Sequence, residues 1–118
     1  MKLTNEKIRS CMSGYNNSAR ETFELPFTTL YKIRKNMGKL EESYKPASET
    51  LQDIIKKYTK IDESGKTVYT NEAKFASEVK KLNDIENEVD ITPIPIEEFG
   101  DSKATPAFMN AIYFMLKD

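Results

Sequence analysis

The sequence predicts a mainly α-helical fold: an antiparallel long-helix hairpin with a small β-hairpin or loop at its tip, plus short N- and C-terminal helices. Three observations carry that prediction. Between Pro26 and Tyr58, apolar residues recur at alternating steps of three and four: Leu30, Ile33, Met37, Leu40, Tyr44, Ala47, Leu51, Ile54 and Tyr58. Such spacing keeps one stripe of a helix turned toward a partner, as in a coiled coil. A second stripe of Phe75, Val79, Leu82, Ile85 and Val89 follows Asn71, a residue suited to cap a second long helix. Between the stripes, Glu63-Ser64-Gly65 separates two short runs, the later one the β-prone Thr67-Val68-Tyr69-Thr70.

The remaining elements follow in order. Asn5 to Tyr15 reads as a short helix with Ile8, Cys11, Met12 and Tyr15 on one side. Asn16-Asn17-Ser18 reads as a loop, and Thr22 to Pro26 as an extended lead into the long helix, with Pro26 near its start. Pro46 lies inside that helix, but the apolar stripe keeps phase across it, so a kink or two nearly collinear helices is expected. Gly38, which costs roughly 1 kcal/mol against alanine in a helix, is expected to mark a close crossing. Val89, Ile91, Ile94 and Ile96, interrupted by Pro93 and Pro95, form an extended arm held at a sheet edge or in a groove. Thr105-Pro106 starts a last helix whose Phe108, Met109, Tyr113, Phe114 and Met115 close the core or dock on a second molecule.

A length of 118 residues suits one domain, 1–118, with one modest core. The net charge of −1 provides no global field for a phosphate backbone, so nucleic acid is disfavoured as a partner. The charge is unevenly spread: residues 1–60 hold twelve Lys and Arg against seven Asp and Glu, and residues 61–118 hold six against twelve. This asymmetry permits a homodimer, or a partner that reads one face. A single cysteine excludes an internal disulfide, and Met1-Lys2-Leu3-Thr4 leads into no apolar leader. With no apolar run of membrane-spanning length, the expected location is the cytoplasm.

The inventory for catalysis is thin. The chain has no histidine, so the commonest general base and most zinc sites are missing. Gly65-Lys66-Thr67 has the ending of a phosphate-binding loop, yet Lys60 stands where the motif needs glycine, and a plain turn fits better. No enzyme activity, cofactor or metal is expected. Two charged groups remain as candidates for partner binding. Asp84, Glu86, Glu88 and Asp90 begin an acidic run that continues through Glu97, Glu98 and Asp101. Asp84 and Glu88, four apart on the expected helix, would share a face where a hard cation could bind weakly or a basic groove could dock. Arg34, Lys35 and Lys39 form the basic counterpart near Tyr31 and Tyr44.

Leu25-Pro26, Tyr31-Lys32-Ile33-Arg34-Lys35-Asn36-Met37-Gly38, Asp62-Glu63-Ser64-Gly65-Lys66 and Glu88-Val89-Asp90-Ile91 resemble stretches of short accessory proteins of tailed phages and prophages of Gram-positive bacteria. The resemblance spans most of residues 20–110 and implies a context inside a bacterial host rather than an activity. Such proteins often bind and block a host machine or assist virion assembly. The expected function is thus a non-enzymatic protein-binding module that inhibits a host, anti-phage defence protein. The alternatives are an assembly, scaffolding or tail-chaperone protein and, third, a nucleic-acid-binding accessory protein.

Overall fold

The computed structural model describes residues 1–18, 24–100 and 104–117. Its spine is one helix, α2 (Phe27–Tyr58), whose 32 residues should run roughly 48 Å at 1.5 Å per residue. The whole molecule measures 55 × 31 × 19 Å, so this helix sets its long axis. Every residue of the predicted stripe turns inward: Ile33, Met37, Leu40, Ala47, Ile54 and Tyr58 are buried, and Leu30, Tyr44 and Leu51 half-buried. Helical hydrogen bonding runs through Pro46 without a break. The carbonyl that Pro46 cannot bond belongs to Glu42, on the exposed side where water reaches it.

Two apolar cores lie along this spine. The larger surrounds its N-terminal half. There, α1 (Asn5–Asn17) contributes Ile8 and Cys11, and the C-terminal helix α4 (Pro106–Ile112) contributes Phe108 and Ile112. Thr4 caps α1 by accepting from the Lys7 amide at 3.1 Å, and Thr105 caps α4 from the Phe108 amide at 3.3 Å with Pro106 at its first turn. Asn16 and Asn17, expected in a loop, continue α1, and Ser18 closes it by donating from Oγ to the Gly14 carbonyl. The close approach in this protein is at Gly14, where an added Cβ would lie 3.1 Å from the Ala111 Cβ. At Gly38, where a crossing was expected, nothing comes within 4 Å. Phe108 and Ile112 of this helix and Met115 of the 3-10 turn after it are sealed from solvent, so the C-terminal segment serves the core, while Tyr113 of that turn is 74% exposed.

The smaller core covers the C-terminal half of α2. Strands β2 (Thr59–Ile61) and β3 (Thr67–Tyr69) form the expected antiparallel hairpin, Lys60 opposite Val68. Its turn is held by Asp62 Oδ1, which accepts from the Ser64 amide, the Ser64 hydroxyl and the Lys66 amide at 2.7–2.9 Å. Gly65 supplies the positive φ of 84° that the turn requires. Asn71 then caps α3 (Glu72–Asn83), accepting from the Lys74 amide at 3.1 Å. Leu82 of α3 joins Ala47, Ile54 and Tyr58 in the core, and the Tyr58 hydroxyl donates to Glu78 at 3.0 Å.

The second helix is therefore shorter than expected, at 12 residues. Ile85 and Val89, assigned to its stripe by periodicity, lie beyond it. They flank β4 (Glu86–Glu88), which pairs antiparallel with β1 (Lys2–Thr4), a strand that was not expected. From Asp84 to Ile91 polar and apolar residues alternate except at Asn87, which takes an apolar slot and faces Asn5, so the strand signal is interrupted within β4 itself. Ile85 and Val89 also continue the helical spacing of Leu82, which hid it. The arm beyond β4 behaves as its prolines dictate. Ile94–Pro95 forms β5, a two-residue strand parallel to β6 (Leu116–Lys117), and Ile94 is fully buried. A 3-10 turn over Ile96–Phe99 follows, its Phe99 in the larger core. Of the predicted lead into α2, Thr22 and Phe23 lie outside the described residues, while Leu25 is buried and Pro26 is the N-cap.

Candidate partner-binding surface

Two buried asparagines place the acidic segment. Asn5, 4% exposed, donates from Nδ2 to the Leu82 carbonyl at 2.7 Å and accepts from Asn87 Nδ2 at 2.8 Å. Its own amide donates to the Ile85 carbonyl, so the end of α3 and the start of β4 are tied to α1. Asn36 is sealed inside the middle of α2. Its Nδ2 donates to the Thr92 carbonyl at 2.8 Å and its Oδ1 accepts from the Thr92 amide at 2.9 Å. Together they fix both ends of the stretch from Asp84 to Thr92. Neither residue stood out in the sequence, because asparagine at a seam position looks like an ordinary polar interruption.

Asp84, Glu86, Glu88 and Asp90 are all exposed, while Val89 between them is buried. Alternate residues of a strand point the same way, which puts Glu86 and Glu88 on one side of β4, while Asp84 sits in the α3 C-cap before it and Asp90 in the turn after it. Asp84 is the C-cap of α3 and not a helical neighbour of Glu88, so the helical carboxylate pair expected for a cation does not form. Asp84 pairs with Lys80 at 3.3 Å. Glu88 pairs with the Met1 ammonium at 2.8 Å, and that hydrogen bond, then the ammonium charge, hold its carboxyl below the usual glutamate range. Asp90 meets Lys39 at 3.5 Å with its side chain 97% exposed. Glu86 makes no ion pair among the described residues. Of the continuation of the run, Glu98 receives both oxygens' worth of contact from Lys32 at 2.8 and 2.9 Å, and Asp101 lies outside the described residues.

The basic group divides. Lys39 is half-buried and joined to Asp90, which brings one predicted cation beside the acidic segment. Arg34 and Lys35 stand exposed on the outer face of α2, in no ion pair with a described residue. Tyr31, near this group, is 65% exposed, and Phe27 one turn earlier is 81% exposed, a surface aromatic pair that stripe-counting overlooked. The signal was available: Phe27, Tyr31 and Arg34 fall at helical spacing on the side opposite Ile33 and Leu40.

The described residues include Cys11 and the Gly65-Lys66-Thr67 run. No group of three or more His, Cys, Asp or Glu side chains is placed to hold a metal ion among them. Cys11 is buried beneath α1, where desolvation raises its thiol pKa against a smaller opposing effect of Lys7, so the reactive thiolate is disfavoured. Gly65-Lys66-Thr67 is the hairpin turn, not a phosphate loop entering a helix. Two larger grooves exist. One of about 570 Å³ has an apolar floor of Tyr69, Phe75, Ala76 and Val79. The other, about 680 Å³, runs between α1 and α2 past Met12, Gly38 and Tyr44. No helix among the described residues is long and apolar enough to cross a membrane. No known family model, curated protein or solved structure matches this chain.

Proposed function

We propose that this chain is a non-enzymatic protein-binding module, a phage-encoded factor that binds and inhibits a host anti-phage defence protein in the bacterial cytoplasm. The observation that carries the reading is the exposed acidic segment of Asp84, Glu86, Glu88 and Asp90, tied down at both ends by buried asparagines. A pre-ordered segment of like charge loses little freedom on binding, and it fits a basic groove such as nucleic-acid-handling proteins present. Arg34, Lys35 and Lys39 stand on the adjoining face as the second contact group. The phage setting comes from the resemblance of residues 20–110, and the reading of α2 and α3 as a helical hairpin closed by α1 and α4 provides the rigid frame.

The test is co-purification of the tagged chain from host lysate, with Glu86→Lys as the discriminating variant. Glu86 has no internal ion pair, so reversing it leaves the fold's own contacts intact. A stoichiometric host protein that binds the wild type and is lost with E86K supports the reading. Failure to recover any host protein, or recovery unaffected by E86K, removes the acidic edge from the account. Recovery of phage structural proteins alone would point to the assembly role.

A further inference from the structure

We propose that α2 also binds α2 of a second copy of this chain, antiparallel, with the two helices crossing at Gly38. This goes beyond the host-protein reading and rests on different residues from those of the acidic edge. Gly38 lies mid-helix, exposed, with nothing within 4 Å of where its Cβ would be. Among the described residues the missing side chain therefore serves no contact, although glycine weakens a helix interior. A bare spot on an exposed helix lets a second backbone approach closely.

The charges around that spot are self-complementary. At about 100° per residue, Arg34 and Glu41 fall on one flank of Gly38, and Lys35 and Glu42 on the other. All four are exposed, and none makes an ion pair with a described residue. Arg34 and Glu41 are seven residues apart, roughly 10 Å along the axis, too far to pair within one helix. A twofold axis that crosses two antiparallel helices at Gly38 brings like flanks together, with the levels reversed. Arg34 then meets Glu41 of the second copy, Lys35 meets Glu42 of the second copy, and symmetry repeats both pairs. One turn further out, Tyr31 faces Lys45 of the second copy, a cation–π arrangement. The parallel alternative exchanges the flanks, setting Arg34 against Lys35 of the second copy and Glu41 against Glu42 of the second copy, and is repulsive. Charge thus selects both the partner and the orientation.

A single helix crossing buries less than the roughly 1,200 Å² of a standard interface, so the dimer is weak, concentration-dependent and salt-sensitive. Sedimentation equilibrium of the purified chain at 50 and 500 mM salt tests it, each variant's fold being checked by circular dichroism. Wild type should dimerise at the lower salt and dissociate at the higher. R34E/K35E and E41K/E42R should each weaken self-association by roughly tenfold or more, because like charges then face each other. Mixed together, these two variants should form a heterodimer, since every position across the axis becomes complementary again. Gly38→Leu, which fills the bare spot, should dissociate the dimer without unfolding the chain. A wild type that stays monomeric, a dimer untouched by R34E/K35E, or variants that fail to pair on mixing would each overturn the proposal. So would a nucleic-acid mobility shift that R34E/K35E abolishes while the chain stays monomeric, which would assign this face to a phosphate backbone.

Discussion

Asn36 decides whether the arm that carries Asp90 is a fixed ledge or a loose tail. Truncation to alanine removes two hydrogen bonds to the Thr92 backbone, at 2.8 and 2.9 Å, from a residue with no solvent exposure. Each such bond contributes about 1 kcal/mol net, and the cavity left beside Met115 adds roughly 1 kcal/mol more. The Thr92 backbone lies near the surface and regains water, which keeps the total at about 2–4 kcal/mol rather than higher. At roughly 4 °C per kcal/mol for a domain of this size, the melting temperature should fall by about 8–16 °C. Urea unfolding followed by circular dichroism gives the free energy. Amide exchange at Thr92 and Ile94 shows whether the arm opens first. Asn36→Asp separates the hydrogen bonds from shape. It keeps the acceptor for the Thr92 amide but turns a carboxylate oxygen toward the Thr92 carbonyl. Burial and that carbonyl raise the carboxyl pKa in the folded state. Relative to wild type, the variant's stability is then greatest below the unfolded value of about 3.9, and that advantage is lost as pH rises through the folded one. A loss under about 1 kcal/mol for N36A, or an N36D deficit that is flat with pH, would refute the role given to this residue.

Two further outcomes follow from local geometry. Gly38→Ala should stabilise the monomer by about 0.5–1 kcal/mol, since its Cβ meets nothing within 4 Å and the position is helical; urea unfolding of dilute protein measures it, and a destabilisation would mean that something unseen occupies that space. Asp62 is held below the ordinary aspartate range first by the Ser64 hydroxyl, then by the Lys66 amide. Its contribution to the hairpin is complete above the unfolded value and disappears as pH falls through the lower folded one. Exchange of the Lys66 amide should therefore depart from its intrinsic pH dependence only in that acidic window, and the departure should be absent in D62A.

The long helix was legible because thirty residues of periodic pattern outvote a single proline, and Pro46 stands at the seam between the two cores where one missing hydrogen bond faces water. The hairpin was legible for a different reason: a turn with glycine at positive φ leaves a local signature, and so do the caps at Thr4, Asn71 and Thr105. What could not be read was whatever depends on residues far apart. β1 and β4 are three-residue strands joined across more than eighty positions, too short for either to announce itself. Asn5 and Asn36 look like surface residues until their partners at Leu82, Asn87 and Thr92 arrive. Gly38 and Gly14 exchange roles for the same reason, because closeness belongs to the pair of helices and not to the glycine. The candidate site residues fared likewise. Their exposure followed from charge, but their pairing through Lys39 and Asp90, Lys80 and Asp84, and Met1 and Glu88 did not.

Which charges the fold requires bears directly on what the surface is for. Lys32 and Glu98, each about one-third exposed, form a two-point contact between α2 and the turn after β5, and Thr29 donates to the Glu98 carbonyl beside it. That pair has a structural use. Arg34, Lys35, Glu41, Glu42 and Glu86 have none: each is exposed, and none touches an opposite charge among the described residues. Exposed ion pairs contribute at most about 1 kcal/mol even when they form, so folding places almost no constraint on the sign at these five positions. Random signs would leave the flanks of Gly38 mixed. Instead both basic residues lie on the N-terminal side and both acidic residues on the C-terminal side, one of each on either flank. The order is one that stability does not demand, it is arranged about the one residue of α2 without a side chain, and an antiparallel contact between two copies of α2 would use every charge in it.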